Sequence, residues 1–160
     1  MTSTTTADGL TLVETLLVVL LLGLAATLAV PALEGVLVER RLDDAAGWLV
    51  ADLRYAQSLA IKTQQPHQVV FDAAGDSYSL TDQSGTVVLH PLTRQAYVVD
   101  FDAQRQFQGI DLQAAAFGGS STLVFDALGA PQSGGTVILS YAGRQRVIAV
   151  RYPTGSIGVQ

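Results

Sequence analysis

The sequence contains no cysteine and only two histidines among its 160 residues. Without cysteine, the chain forms no disulfide and offers no thiolate ligand to a metal ion. Positive charge is scarce as well, since nine Lys and Arg side chains face fourteen Asp and Glu, which gives a formal net charge of −5 and a pI near 4.7. This acidic balance argues against a general nucleic-acid-binding surface.

The sequence also lacks a recognisable catalytic or metal-binding constellation. His67 and His90 each adjoin a proline at the end of a predicted strand, and no Ser or carboxylate pattern marks either one as a base or a metal ligand. Two pairs of carboxylates lack the oxygen-rich loop that calcium requires, namely Asp43 with Asp44 and Asp100 with Asp102. We therefore expect ordinary surface or turn histidines, no catalytic residue, no metal site and no cofactor.

One long apolar run dominates the chain. It extends from Gly9 to Leu33 and reads GLTLVETLLVVLLLGLAATLAVPAL, with Glu14 as its single charged residue. As a helix with a rise of about 1.5 Å per residue, residues 10–33 are long enough to cross a hydrocarbon core of about 30 Å. A very apolar core helix is the alternative, but a domain this small has little interior for a helix that is apolar all round.

The carboxylate of Glu14 needs a partner, because an unpaired charge in a membrane segment is energetically costly. No Lys or Arg lies three or four residues away, and the first cations that follow are Arg40 and Arg41, beyond the apolar run. We expect the partner to be a group that is created later or brought by another chain.

The residues around Glu14 carry a specific resemblance. The hexapeptide GLTLVE at residues 9–14 resembles the processing site of type IV prepilins and type II secretion pseudopilins. The resemblance implies cleavage after Gly9 by a prepilin peptidase, N-methylation of Leu10, and an assembly role for Glu14, which meets the charged N-terminus of a neighbouring subunit. Two departures stand out, since Leu10 replaces the usual phenylalanine and the leader contains Asp8 but no Lys or Arg.

The same resemblance implies a location in the bacterial inner membrane, with a single span, a globular domain in the periplasm and a filament after assembly. Charge does not decide the orientation, because Arg40 and Arg41 beyond the run are offset by Glu39, Asp43 and Asp44. An ordinary secretory signal peptide is the alternative, although it would carry a charged n-region and a shorter apolar core.

Helical periodicity continues past Pro31. This proline falls where such proteins commonly carry a helix-disrupting proline, so we expect a helix break or bend there. An apolar stripe then recurs at spacings of three and four and consists of Leu42, Ala45, Leu49, Leu53, Ala56 and Ala60. The opposite face carries Arg40, Arg41, Asp44, Asp52, Arg54 and Lys62. We predict one helix from about Leu10 to Gln64, ended by Pro66, and core packing for the neighbouring row of Trp48 and Tyr55.

Beyond Pro66, short strand-like runs alternate with turn residues. We predict strands at residues 67–72, 77–81, 86–90, 96–101, 122–126, 136–141 and 145–152, and a variable loop over 102–120 with a strand near 110–112. This pattern predicts an α+β fold in which a long N-terminal helix packs on antiparallel sheets. The predicted segments are a leader at 1–9, a transmembrane or filament-core helix at 10–33, an amphipathic helix half at 34–65 and an antiparallel β domain at 66–160.

The C-terminal third carries a second resemblance. Residues 125–159, FDALGAPQSGGTVILSYAGRQRVIAVRYPTGSIGV, and residues 53–71, LRYAQSLAIKTQQPHQVVF, resemble the H-type pseudopilins of type II secretion and their minor pilin relatives, the GspH/FimT family. The resemblance implies a non-enzymatic minor pseudopilin whose domain is a sandwich of two antiparallel sheets. It also implies the partners: other pilin or pseudopilin subunits, the prepilin peptidase and N-methyltransferase, an inner-membrane assembly platform, and membrane lipid before assembly.

Three arginines keep a second hypothesis open. Arg144, Arg146 and Arg151 are the only charged residues from Gly134 to Gln160, and the tetrapeptide GRQR at 143–146 resembles a pattern through which some minor pilins of this family bind DNA for uptake. Three arginines neutralise only about three phosphates, so such binding would be weak and salt-sensitive. A type IV minor pilin in pilus assembly or DNA uptake is therefore the alternative, and a membrane-anchored enzyme, the third class, has no residues in its support.

Overall fold

The structure is a computed structural model that describes the backbone of residues 11–160 and the side chains of residues 11–25 and 35–160. Within that range, one helix, α1 (Leu12–Thr63), precedes eight strands. The strands are β1 (His67–Asp72), β2 (Ser77–Asp82), β3 (Val98–Asp100), β4 (Asp111–Phe117), β5 (Thr122–Phe125), β6 (Gly135–Tyr141), β7 (Arg144–Arg151) and β8 (Ser156–Val159). The predicted α+β fold, with its long N-terminal helix and antiparallel sheets, is confirmed.

The chain divides into two compact units, one that ends at Leu37 and one that extends from Val38 to Gln160. α1 contributes residues to both units, and all eight strands belong to the second. Position 31 lies within α1, which is assigned without interruption. Because the side chains of residues 26–34 lie outside the described set, the predicted disruption at Pro31 stays a prediction.

A Schellman motif ends α1 where the sequence predicts. Gln64 has a positive φ of 53°, its N–H donates to the carbonyl of Ile61 over 3.3 Å, and the N–H of Gln65 donates to the carbonyl of Ala60 over 3.3 Å. These two bonds satisfy carbonyls that the last helical turn would leave open. Pro66 follows and directs the chain into β1.

The strands form two four-stranded antiparallel sheets, with orders β3-β2-β1-β5 and β4-β6-β7-β8. Both sheets contribute side chains to one core with α1. The six apolar residues of the predicted helix stripe are all fully buried, which confirms that the helical spacing marks the core-facing side of α1. Each buried leucine contributes about 1.5–3 kcal/mol through removal of apolar surface from water.

The strands differ from the predicted ones at three places, each for a local reason. Residues 86–90 form only isolated bridges through Val87 and Leu89, because this stretch belongs to a loop beside β2. β4 includes the strand predicted near 110–112 but continues to Phe117 through the predicted variable loop, and a register shift between Leu112 and Ala114 breaks the alternation that would have marked its full length. β8 is short and contains Gly158, so it carries a weak strand signal.

Candidate assembly site

Thr11 and Glu14 define the start of α1. The Thr11 carbonyl accepts a hydrogen bond from the Thr15 N–H over 3.1 Å, and Thr11 Oγ1 accepts one from the Glu14 N–H over 3.3 Å. Thr11 is therefore the N-cap, and Glu14 stands at the third helical position, which is the spacing of a capping box. This spacing is visible in the sequence and adds a local role for Glu14 to the predicted one.

An apolar surface covers the beginning of α1. Its ten large apolar side chains are between 46% and 80% exposed within the chain, and they are Leu12, Val13, Leu16, Leu17, Val18, Val19, Leu20, Leu21, Leu22 and Leu24. Glu14 is the only ionisable residue among residues 11–25, and it is exposed. A contiguous apolar surface of this kind marks a region that another molecule covers.

The predicted processing site lies outside the described residues, because these begin at Thr11. Cleavage after Gly9 and methylation of Leu10 therefore stay predictions. Among the helices as far as the structure describes them, none has a stretch that is long and apolar enough to cross a membrane. Positions 26–34 of the predicted span belong to the residues whose side chains are not described.

Two of the C-terminal arginines reach α1. Arg144 forms an ion pair with Glu39, and Nε of Arg146 donates to Oδ1 of Asp43 over 2.5 Å. The two carboxylates are four residues apart on one face of the helix, and the two arginines are two residues apart on one face of β7. The distance between the carboxylates along the helix axis therefore matches the distance between the arginines along the strand. Two of the three arginines predicted to contact DNA thus have carboxylate partners within the chain. Arg151 is exposed and has no ion-pair partner among the described side chains.

A third contact joins the β6–β7 hairpin to the helix. Nη1 of Arg41 donates to the phenol oxygen of Tyr141 over 2.6 Å, and the guanidinium carbon lies 5.1 Å from the centroid of the Tyr141 ring. Tyr141 pairs with Arg144 across the hairpin. The hairpin is therefore held to α1 by two ion pairs and one charge-assisted hydrogen bond, and it leaves little unpaired positive charge for a nucleic acid.

Among the described carboxylates of α1, Asp52 accepts two side-chain hydrogen bonds. Its Oδ2 accepts a hydrogen bond from the Tyr78 phenol over 2.6 Å, and its Oδ1 accepts one from the Tyr97 phenol over 3.0 Å. The sequence pattern places Asp52 on the polar face opposite the buried stripe. Asp52 is nevertheless not a solvent-exposed residue. Tyrosines from β2 and from the segment before β3 reach over the helix and half-bury its side chain.

Burial sets the proton affinities in this cluster. It raises the pKa of the Asp52 carboxyl above its ordinary value of 3.8, although the hydrogen bonds from Tyr78 and Tyr97 lower it. Burial, and then the negative charge of Asp52, raise the pKa of Tyr78 well above 10.0 and also raise the pKa of Tyr97. Both phenols therefore keep their protons at neutral pH and remain hydrogen-bond donors to Asp52.

A cleft of about 190 Å³ opens beside Asp52. Trp48 lines it, is 43% exposed, and meets the ring of Phe107 edge-on at 5.6 Å. The predicted core packing of Trp48 is therefore wrong, because its indole borders this opening. Tyr55, the other member of that row, stacks on Tyr97 at 5.5 Å and packs against the core.

The two histidines differ in environment. His67 opens β1 and is buried, with Nδ1 3.0 Å from the carbonyl oxygen of Gln65, so the prediction of a surface or turn histidine is wrong there. His90 is a turn residue as predicted, since its Nδ1 accepts hydrogen bonds from the N–H groups of Leu92 and Thr93. Within the described part of the chain, no group of three or more acidic or histidine side chains is arranged to hold a metal ion.

Comparison with known families adds a match over most of the globular unit. Residues 45–152 match the profile of the family described as Type II transport protein GspH. This stretch runs from the buried half of α1 through β7. No curated protein sequence matches the chain closely enough to count as a relative.

Solved structures share the fold. The minor pseudopilin EpsH from the type 2 secretion system of Vibrio cholerae aligns with a TM-score of 0.58 and 12% identity, over 75% of this chain and 96% of EpsH. The type IV minor pilin FimU of Pseudomonas aeruginosa PAO1 aligns with a TM-score of 0.56 and 20% identity, over 76% of this chain and 90% of FimU. At these identities the likeness shows the fold alone.

Proposed function

Because the GspH profile covers residues 45–152, this chain belongs to the GspH family of type II transport proteins, and we propose that it is an H-type minor pseudopilin. The family and the fold make it a pilin-like minor subunit, which is a structural component and not an enzyme. In the proposed role, the precursor lies in the inner membrane with its sheet domain in the periplasm. It is cut after Gly9, methylated on Leu10 and drawn into a filament that supports protein secretion.

The observation that carries this proposal is the apolar surface at the start of α1. The large apolar side chains from Leu12 to Leu24 are exposed around the helix, and so much apolar area is unstable in water. Lipid covers such a surface before assembly, and the equivalent helices of neighbouring subunits cover it afterwards. The proposal thus assigns two successive environments to one segment.

Glu14 gives the assembly its register in this proposal. Its N–H is bound by Thr11, which fixes the helix start, while its carboxylate is exposed. Removal of the leader after Gly9 would create a new positive terminus at Leu10. In a neighbouring subunit, this terminus is a suitable counter-charge for Glu14, because an ion pair in an apolar surrounding is strongly favoured over a lone charge.

Processing is the first test. Co-expression of the chain with a prepilin peptidase should shorten it by the nine leader residues, with Leu10 as the new first residue, and mass spectrometry of the N-terminus detects both the cut and the added methyl group. We expect Gly9→Ala to block the cut. Unchanged processing of Gly9→Ala would overturn the proposal.

The role of Glu14 requires a variant that separates its charge from its helix-capping position. Glu14→Gln keeps the capping-box pattern, since Gln also serves at this position, but it removes the charge. We expect Glu14→Gln to be inserted and processed normally and yet to be excluded from filaments in a pull-down of assembled subunits. Thr11→Ala is the matched control, because it removes the cap and keeps the charge, and it should still assemble. Normal assembly of Glu14→Gln would reject the charge-register role.

A type IV minor pilin is the second candidate, and the observation in its favour is the fold shared with FimU. The two candidates differ in the phenotype of a deletion strain. Loss of an H-type pseudopilin should stop protein secretion and leave surface pili intact, whereas loss of a minor pilin should reduce surface pili and leave secretion intact.

A further inference from the structure

The cleft beside Asp52 contains the negative charge of this carboxylate, and its hydrogen-bond donors are the neutral phenols of Tyr78 and Tyr97. Its carboxylate is bound by two phenols, at 2.6 Å from Tyr78 and 3.0 Å from Tyr97. His90 also lines the cleft, and its Nδ1 accepts hydrogen bonds from the N–H groups of Leu92 and Thr93. No Lys or Arg of the described chain forms an ion pair with this carboxylate. A half-buried carboxylate without a strong counter-charge favours an external cation.

The walls of the cleft suit a flat cation. Trp48 presents the exposed aromatic surface of the opening, since its indole is 43% exposed. Tyr97 also lines the cleft, but it is buried and its ring is contacted by Tyr55 at 5.5 Å and by His90 at 4.8 Å. Aromatic faces attract cations, and arginine stacks on them while its planar fork pairs with a carboxylate. The volume of about 190 Å³ admits a guanidinium group with part of its side chain.

The rim of the cleft suits an extended polypeptide. Among the strands of the described residues, β3 stands at the end of its sheet and pairs with β2 alone. The Val98 N–H already donates to the Ala96 carbonyl over 2.8 Å, and the remaining backbone groups of the outer edge are the ones offered for strand addition. Val98 on β3 and Leu89 and Leu92 on the preceding loop are exposed apolar residues, and Leu92 reaches 86% exposure. An incoming segment would cover these side chains while one of its own enters the cleft.

We propose that the cleft lined by Trp48, Asp52, His90 and Tyr97 binds an arginine side chain presented by an extended segment of another protein that runs beside β3. The site lies within the unit from Val38 to Gln160. Binding there does not require cleavage after Gly9, methylation or a filament, so it stands or falls independently of the proposed function.

Trp48 provides the readout, because it is the only tryptophan of the chain and lines the cleft. The purified 160-residue chain in a mild non-ionic detergent is titrated with the peptide N-acetyl-Val-Arg-Val-amide while Trp48 fluorescence is recorded. The same peptide with citrulline in place of arginine is the neutral twin. We expect a saturable change with the arginine peptide and at least about tenfold weaker binding of the citrulline peptide, which corresponds to about 1.4 kcal/mol.

Asp52→Asn is the decisive variant. Its amide oxygen still accepts a hydrogen bond from a phenol, so the fold is retained, and circular dichroism verifies this. Asp44→Asn is the matched control, since it removes the same charge from an exposed position of the same helix. We expect Asp52→Asn to lower the affinity for the arginine peptide about tenfold and Asp44→Asn to leave this affinity unchanged.

Any one of three results would overturn the proposal. The first is equal binding of the arginine and citrulline peptides, and the second is an Asp52→Asn variant that binds the arginine peptide as tightly as the unaltered chain does. The third is the lack of a saturable response to the arginine peptide up to about 10 mM. Addition of salt should weaken the binding, because part of the attraction is between full charges near the surface.

Discussion

Nε of Arg146 on β7 lies 2.5 Å from Oδ1 of Asp43 on α1, a residue 103 positions earlier in the sequence. Arg144 and Glu39 form a parallel pair. Both pairs are partly exposed, with side-chain exposures of 27% for Arg146 and 54% for Asp43. Water therefore screens them, and their main effect is to orient the β6–β7 hairpin on the helix.

The coupling between Arg146 and Asp43 is measurable in a double-mutant cycle. We expect Arg146→Ala, Asp43→Ala and the double variant to give a coupling free energy of about 0.2–1 kcal/mol, because exposed ion pairs contribute little. Urea unfolding followed by Trp48 fluorescence gives the values, and the coupling should shrink at high salt. A coupling well above this range would mean that the pair is more deeply desolvated than its exposure indicates.

The same pairs weaken the DNA-binding hypothesis. Because Arg144 and Arg146 have carboxylate partners and the chain is acidic overall, we expect no detectable binding of duplex DNA near physiological salt. An electrophoretic mobility shift with the purified chain tests this. Binding that is abolished by Arg144→Ala with Arg146→Ala would contradict the expectation and support the DNA-uptake alternative.

Stability should fall at alkaline pH because of Tyr78 and Tyr97. Folding raises the pKa of both phenols, so above about pH 10 the unfolded chain releases protons that the folded chain retains. The free energy of unfolding then decreases as pH rises. Urea midpoints recorded across this pH range should decrease less steeply for Tyr97→Phe. Tyr152→Phe, at an exposed tyrosine, should leave the slope unchanged.

Thr81 offers a stabilising substitution. The residue is 5% exposed, and its Oγ1 has no hydrogen-bond partner among the described residues. Thr81→Val replaces the hydroxyl with a methyl group of similar size on strand β2, so we expect a gain of about 1 kcal/mol. Thr81→Ser keeps the hydroxyl and loses the methyl group, and it should lower the melting temperature. A loss of stability in Thr81→Val would indicate a water partner for Oγ1.

The β6–β7 turn offers a second stabilising substitution, at Ala142. Ala142 has a φ of 48° and Gly143 a φ of 78°, as in the two-residue turns that favour Asn-Gly. Alanine is strained in this left-handed region by about 1 kcal/mol, and asparagine tolerates it better. We expect Ala142→Asn to raise the melting temperature and Ala142→Val to lower it. Equal melting temperatures for all three would show that the turn relaxes at no cost.

Local patterns predicted what depends on local geometry. The spacing of Leu42, Leu49 and Leu53 identified the buried face of α1, because each of them lies on the same side of a helix. Gln64 to Pro66 predicted the end of the helix. The strand predicted near 110–112 continues to Phe117, and this extension escaped prediction because a register shift between Leu112 and Ala114 interrupted the alternation.

The sequence by itself determined the segment that is expected to anchor and assemble the chain, since the GLTLVE hexapeptide and the apolar run are contiguous letters with their own physical meaning. Only the tertiary structure decided what the charged residues do. Asp52 meets Tyr78 and Tyr97 across 26 and 45 positions, and Arg146 meets Asp43 across 103. Contacts at such separations depend on how the sheets pack on α1, and no local spacing encodes them.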